Sequence, residues 1–111
     1  MSRYVPRRGD AVWLDFNPQT GREQAGRRPA FVVSPESYNR KVGLVVVCPI
    51  TTKQKGYPFE VEIPSGHDAR GVILSDQIKS LDWRARNATL LGPLSESVTR
   101  EVLLKVNALL R

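Results

Sequence analysis

An uninterrupted apolar run, LVVVCPIT at residues 44–51, constrains the fold of this chain more than any other segment. Its valines favour an extended strand. A strand that shows no apolar–polar alternation is typically buried on both faces of its sheet. This run is therefore predicted to be a central strand, and the rest of the chain must supply the neighbours and layers that cover it.

Six further segments are predicted to form short strands, because they alternate at period two or are short apolar runs between turns. The segments are DAVWLDF, RPAFVVS, FEVEI, GVILSD, IKSLDW and ATLLG. In DAVWLDF, Val12, Leu14 and Phe16 share one face. In FEVEI, the apolar residues point inward and the two glutamates point outward.

The last segment, SESVTREVLLKVNALLR, has a helical period instead. Its apolar stripe recurs at three- and four-residue spacing, at Val98, Val102, Val106, Leu109 and Leu110. Ser95 is the predicted N-cap of this helix. One further helical turn is predicted at SPESYNRK, with Ser34 as N-cap and Pro35 at the first helical position.

Short strands followed by one covering helix predict an α+β chain, mainly β, built as a small bent sheet or barrel with a C-terminal helix. Its 111 residues are expected to form one domain, 1–111. The one cysteine excludes an internal disulfide and fits a reducing compartment. The N-terminus lacks the apolar core of a signal peptide, and no run approaches the about 20 residues of a membrane span. We therefore expect a soluble cytoplasmic protein without membrane association.

The positive charge of the chain lies in its first half. Residues 1–55 hold ten basic and four acidic side chains, which accounts for the whole net charge of +6. Such an asymmetry suggests a polyanion or an acidic protein as partner. A basic surface that serves only solubility explains the charge equally well.

Two polar clusters flank predicted strands. The twelve-residue connector NPQTGREQAGRR is longer than ordinary hairpin loops, and TTKQKG follows the central strand. If the second and third strands are antiparallel neighbours, Glu23, Arg28, Thr51 and Lys55 can converge at one end of the sheet. A carboxylate, a hydroxyl and two cations suit a phosphodiester substrate. The alternative is a surface ion pair between Glu23 and an adjacent arginine, with little energetic effect.

Neither metal nor histidine chemistry is indicated by the residue inventory. One cysteine, one histidine and scattered carboxylates give no recognisable ligand spacing, so no metal or other cofactor is expected. The single histidine, His67, lies in a predicted turn and is interpreted as a surface residue. A two-histidine ribonuclease mechanism is therefore excluded within one protomer.

Four stretches lie between residues 9 and 86: GDAVWLDFNPQTGREQAGRRPAFVVSPESYN, VVVCPITT, KGYPFEV and LSDQIKSLDWRAR. In this order and spacing they resemble the MazF/PemK family of toxin endoribonucleases. The resemblance implies an SH3-like β-barrel with a terminal helix, assembled as a homodimer. It also implies metal-independent, sequence-specific cleavage of single-stranded RNA by 2′-hydroxyl attack. The products would carry 2′,3′-cyclic phosphate and 5′-hydroxyl ends, and a cognate MazE-like antitoxin with an acidic tail would inhibit the enzyme.

Carried over position by position, the resemblance implies Arg28, Thr51 and Glu23 as catalytic residues and Lys55 as a phosphate ligand. Glu23 would be the general base. An arginine is too basic to give up its proton readily, so Arg28 is expected to stabilise the phosphorane electrostatically. Thr51 would donate a hydrogen bond to the same oxygens.

Recognition of splayed bases calls for stacking aromatics and side-chain amides. The candidate substrate-binding residues are Phe16, Gln19, Arg22, Gln24, Lys53, Gln54, Tyr57, Asp76 and Gln77. Phe16 equally fits the core, whereas Tyr57, between Gly56 and Pro58, is expected to be exposed. Trp13 and Trp83 fit either a dimer contact or the core. Arg84 and Arg86 fit RNA, the antitoxin tail or plain surface charge.

Two other functions remain open at this point. A CcdB-like barrel would poison a protein target without cutting RNA, and a plain RNA-binding barrel would bind RNA and leave it intact. The combination of Glu23, Arg28 and Thr51 argues against the first, because a protein target requires no phosphate site.

Overall fold

The computed structural model describes residues 4–16 and 26–111. Within these ranges the chain forms seven strands and two helices. The strands are β1 (Asp10–Asp15), β2 (Arg27–Val32), β3 (Leu44–Thr51), β4 (Glu60–Glu62), β5 (Val72–Leu74), β6 (Lys79–Asp82) and β7 (Thr89–Pro93); the helices are α1 (Glu36–Val42) and α2 (Glu96–Leu109). None of these helices has the length and apolar character that a membrane span needs.

All strand pairs are antiparallel, in the order β4–β5–β3–β2–β1–β7. β3 is the centre of the sheet, since its middle pairs with β2 while its start pairs with β6 and its end with β5. The predicted mainly β, SH3-like bent sheet with a C-terminal helix is confirmed.

The sheet separates two hydrophobic clusters. Val45 and Val47 of β3 pack into one cluster, together with the side chains of Val12 and Leu14. Cys48 and Ile50 pack into the other cluster, on the opposite face. The predicted burial of the central run on both faces is therefore confirmed. We call the face of the sheet that carries Val45 and Val47 the α2-distal face, because α2 covers the opposite face.

Helix α2 covers the sheet through one stripe of valines. Its N-cap is Ser95, whose hydroxyl accepts the Val98 N–H, as predicted. Val98, Val102 and Val106 are buried against the sheet. The expected extension of the stripe to Leu109 and Leu110 is wrong: both side chains are exposed, because they follow the last turn that packs on the sheet.

Helix α1 begins one residue later than predicted. Pro35 is its N-cap residue and makes no side-chain cap, so the assignment of Ser34 as N-cap is wrong. The Ser34 hydroxyl instead donates to Asn39 Oδ1 and accepts the Val46 N–H. The hydroxyl binds these partners and does not cap α1, because leaving a buried polar group unpaired is costly.

Asn39 joins three parts of the fold from a fully buried position. Its amide nitrogen donates to the carbonyl oxygens of Pro6 (2.8 Å) and Ser34 (3.1 Å). The backbone carbonyl oxygen of Asn39 accepts the indole N–H of Trp83 at 2.8 Å. Trp83 is thereby fixed in the α2-distal cluster, which settles it as a core residue, whereas Trp13 is half-buried.

Replacing Asn39 with alanine should destabilise the protein strongly. The substitution leaves two buried carbonyls without their donor and the Ser34 hydroxyl without its acceptor, so the free energy of unfolding should fall by about 2–3 kcal/mol. Urea unfolding measures the loss. The exposed Asn107→Ala on α2 is the matched control and should change stability by less than about 0.5 kcal/mol. Equal losses for the two variants would contradict this role of Asn39.

Candidate functional site

Arg28 and Thr51 lie at the same end of adjacent strands. β2 begins at Arg27, β3 ends at Thr51, and the two strands are antiparallel with Ala30 opposite Pro49. The pairing of β2 with β3 ends there, and the same register continued by two residues places Arg28 level with Thr51. The antiparallel pairing that the convergence of these residues requires is therefore present.

Both side chains also belong to the same face of the sheet. Arg28 precedes Ala30 and Val32 at steps of two, and Thr51 follows Val47 at steps of two, so all project from the α2-distal face. At this end of the strands Arg28 is exposed and Thr51 is half-buried. A guanidinium and a hydroxyl thus share one open end of these two strands, which we call the Arg28–Thr51 edge.

Phe16 extends this edge across β1. It follows Val12 and Leu14 on the same face and is half-buried against the α2-distal cluster. The ammonium group of Lys79 lies 5.4 Å from the centroid of its ring. Phe16 therefore contacts the core and still presents part of its ring beside a cation, while Lys79 was missed in the sequence because an isolated lysine carries no signal.

Thr51 is fixed by contacts of its own backbone and hydroxyl. It pairs with Val72 of β5, and its Oγ1 accepts the N–H of Lys53 at 3.1 Å. Gly71, at φ +105°, approaches so closely that a Cβ there would overlap the Thr51 carbonyl oxygen. Glycine is required at this position by both the positive φ and the close approach.

The segment after β3 carries the second polar cluster. Lys53, Gln54 and Lys55 are exposed. Both carboxylate oxygens of Glu60 accept backbone N–H groups of this segment, from Lys55 (2.9 Å) and Gly56 (2.8 Å). Glu60 was predicted only to point outward, since hydrogen bonds to a turn backbone leave no pattern in the sequence.

The segment ends at Tyr57, whose hydroxyl is hydrogen-bonded to a carboxylate. Its OH donates to Asp76 Oδ1 at 3.1 Å. Partial burial raises the pKa of Tyr57, and the bond to Asp76 raises it further. The side chain is half-buried rather than exposed as expected, because Asp76 draws it onto the turn after β5; Gln77, the next residue, is exposed.

The base of the long connector is clamped by an ionic network. Arg27 donates to Asp15 Oδ1 and to the Asn87 carbonyl, both at 2.8 Å. The Asn87 amide donates to Asp15 Oδ2, and Arg86 donates to the carbonyls of Asp15 and Phe16. The Asn87 amide first, and then Arg27, hold the pKa of Asp15 below its usual range.

Four predicted site residues, Gln19, Arg22, Glu23 and Gln24, lie outside the described residues. The sequence left the roles of Arg84 and Arg86 undecided. Arg86 donates to a backbone carbonyl at the base of the connector, and the guanidinium carbon of Arg84 lies 4.6 Å from the ring centroid of Trp83.

His67 and Cys48 are engaged by other parts of the fold. His67 is half-buried, with Nδ1 3.0 Å from the Pro64 carbonyl and Nε2 accepting the Ser95 N–H, so it contacts the start of α2 rather than only solvent. Burial, followed by the charge of Asp76, raises the pKa of the Cys48 thiol to about 12. In 4–16 and 26–111, no three His, Cys, Asp or Glu residues cluster as metal ligands.

Residues 7–110 match the family described as PemK-like, MazF-like toxin of type II toxin–antitoxin systems. The chain is 50% identical over 110 residues to the endoribonuclease toxin MazF of Escherichia coli (strain K12), covering 99% of this chain and 98% of that protein. It is 36% identical over 107 residues to the endoribonuclease toxin ChpB of the same strain, covering 91% and 90%.

Solved structures give the same result. A crystal structure of MazF from Deinococcus radiodurans superposes with a TM-score of 0.87 at 50% identity, covering 97% of this chain and 98% of that one. A MazE–MazF crystal structure from the same organism gives a TM-score of 0.87 at 45% identity, with 97% of both chains covered.

Replacing Gly71 with alanine should destabilise the edge that holds Thr51. The matched control is Gly66→Ala, since Gly66 has a similar φ of +98° but open space around it. We expect Gly66→Ala to lower the free energy of unfolding by about 1 kcal/mol and Gly71→Ala by about 3 kcal/mol or more. Urea unfolding of both variants measures the difference, and equal losses would show that the contact with Thr51 is unimportant.

The connector base should make stability depend on pH in acid. The folded-state pKa of Asp15 is depressed, so its contribution is present above the unfolded value of about 3.9 and is lost as pH falls through the lower folded pKa. The melting temperature of wild type should therefore fall more between pH 6 and pH 2 than that of Asp15→Asn.

Asn87→Gly tests the larger cause of that shift. It removes the amide and tolerates the positive backbone angle of Asn87, φ 54°. We expect it to weaken the acid dependence too, and melting curves of all three proteins that remain parallel would refute the assignment.

Proposed function

We propose that this chain, which belongs to the PemK-like, MazF-like family of type II toxin–antitoxin toxins, cleaves single-stranded mRNA at a short sequence without a metal. It is an endoribonuclease toxin, and its 111 residues act as one toxin domain. The observation that carries the chemical proposal is the shared edge of Arg28 and Thr51, where adjacent strands present a guanidinium and a hydroxyl from one face.

The proposed reaction is an internal transesterification. The substrate 2′-oxygen attacks the adjacent phosphorus, its proton passes to a base, and the bond from phosphorus to the 5′-oxygen breaks. The leaving oxygen takes up a proton. The products are a 2′,3′-cyclic phosphate and a 5′-hydroxyl, and the atoms balance without a metal or cofactor.

Arg28 and Thr51 would act on the phosphorane. Its two non-bridging oxygens gain negative charge in the transition state, so fixed cationic and hydroxyl donors stabilise it more than they stabilise the substrate. The exposure of Arg28 leaves the guanidinium accessible to a phosphate. Thr51 supplies its hydroxyl from a backbone position fixed by β5.

Glu23 and Lys55 would handle the protons and the phosphate. Glu23 is the proposed base, although a glutamate of ordinary pKa, about 4.3, is weak at neutral pH. Lys55 would bind the phosphate or assist the leaving oxygen. Such a set of groups fits slow turnover.

The bases flanking the cut would contact the aromatic and amide groups around this edge. Phe16 offers part of its ring and Tyr57 part of its face, while Gln77 is exposed beside Asp76. The other proposed substrate contacts are Gln19, Arg22, Gln24, Lys53 and Gln54.

We further propose that the protein works as a cytoplasmic homodimer inhibited by a MazE-like antitoxin with an acidic tail. A MazE–MazF complex is known for a relative 45% identical to this chain. The basic first half of the sequence suits both the tail and RNA, because both carry negative charge.

The test is cleavage of a defined RNA pool followed by mapping of the ends. Wild type should cut with or without a chelator and leave 2′,3′-cyclic phosphates. A substrate with one 2′-deoxy nucleotide at the cut site should resist cleavage, since it lacks the attacking oxygen. Cleavage of that substrate would refute the proposed attack.

Arg28→Ala should lower kcat/KM by about 100-fold or more, as expected for loss of one transition-state donor. Arg100→Ala, which removes another exposed arginine, on α2, is the control and should change kcat/KM by less than about threefold. RNA that is bound in a salt-dependent way but stays intact would favour an RNA-binding barrel. RNA that is neither bound nor cut would favour a CcdB-like toxin.

A further inference from the structure

Glu60 holds the backbone of the segment that carries Lys55. Its Oε2 accepts the Lys55 N–H at 2.9 Å and its Oε1 accepts the Gly56 N–H at 2.8 Å. The Glu60 N–H in turn donates to the Tyr57 carbonyl at 3.1 Å. A half-buried carboxylate on β4 and the preceding turn therefore bind each other reciprocally.

Two successive N–H groups can point at one carboxylate because of the local backbone. Gly56 has φ +83°, the left-handed region that glycine adopts readily. Hydrogen bonds to an ionised acceptor are about twice as strong as neutral ones. Within the described residues Glu60 makes no ion pair, so its charge is directed at the turn.

The same segment is attached at both ends by other side chains. At its start, Thr51 Oγ1 accepts the Lys53 N–H, and at its end the Tyr57 hydroxyl donates to Asp76. The bonds from Glu60 lie between these two, at Lys55 itself. Without them the backbone N–H groups of the exposed residues 53–56 would keep two local contacts among the described residues, from Lys53 to Thr51 Oγ1 and from Gln54 to the Thr52 carbonyl, and neither lies at Lys55.

We propose that Glu60 is a positioning residue for RNA cleavage: it fixes the Lys55 backbone and thereby places the Lys55 ammonium at the scissile phosphate. The inference rests on the proposed function, because it assigns Glu60 a role in that reaction. A glutamate beside an RNA site would otherwise repel the phosphate. Here both of its oxygens accept backbone N–H groups of the turn, so the carboxylate is held against the turn that carries Lys55.

Glu62 is the matched control. It lies two residues along the same strand and is exposed, and its side chain has no hydrogen bond or ion pair to the described residues. Loss of either glutamate changes the net charge near the site equally. A difference between Glu60→Ala and Glu62→Ala therefore reports the bonds to the turn and not the charge.

The experiment is a double-mutant cycle with Lys55→Ala, read as kcat/KM on a short RNA. Glu60→Ala and Lys55→Ala should each lower kcat/KM by about tenfold. The total loss in the double variant should also be about tenfold, and not about 100-fold, because both substitutions act through one group. Glu62→Ala should match wild type. Amide hydrogen exchange at Lys55 and Gly56 should speed up in Glu60→Ala only.

Losses that multiply in the double variant would overturn the inference, since Glu60 would then act independently of Lys55. So would a Glu60→Ala variant as active as Glu62→Ala. Wild type that leaves RNA intact would instead overturn the proposed function, and this inference with it.

If Glu60→Ala does not fold, Glu60→Gln takes its place. The glutamine keeps one acceptor oxygen and opposes the second N–H with an amide. It should lose about threefold in kcat/KM, and that loss should vanish in the Lys55→Ala background. Persistence of the loss there would count against the inference.

Discussion

The burial of β3 on both faces is the constraint on which the rest of the structure depends. A strand without polar alternation needs partners along both edges and a cover on each face. β2 takes one edge, β5 and β6 divide the other, and α2 covers one face while Trp83 and its neighbours fill the other. Polar groups are thereby driven to the ends of the strands, where backbone and hydroxyl groups become available to a ligand.

The candidate site follows from that arrangement. Arg28 and Thr51 are the residues at which two core strands leave the packed region, so their positions are fixed by core packing although their side chains are accessible. Around them the structure uses polar side chains to hold backbone: Glu60 at the turn after β3, and the Asp15–Arg27 pair at the base of the connector. A rigid edge with accessible donors is what electrostatic catalysis requires.

Periodicity in the sequence predicted the strands and α2 well, because their burial is decided by residues close in the chain. That Arg28 lies level with Thr51 was predictable for the same reason, once the two strands were taken as antiparallel neighbours. The errors arose where distant partners decide. Ser34 bonds with Asn39 and Val46 instead of capping α1, and Tyr57 reaches Asp76, 19 residues away. Glu60 could not be predicted, since its role depends on the shape of a turn.

The register between β2 and β3 places different limits on different kinds of evolutionary change. Side chains alternate between the two faces, so a one-residue insertion within β2 would exchange the environments of Ala30 and Phe31 and carry Arg28 away from Thr51. Such an indel would abolish fold and chemistry together. A longer connector before β2 inserts no residue into either strand, so the register of β2 with β3, and with it the level of Arg28 and Thr51, stays the same.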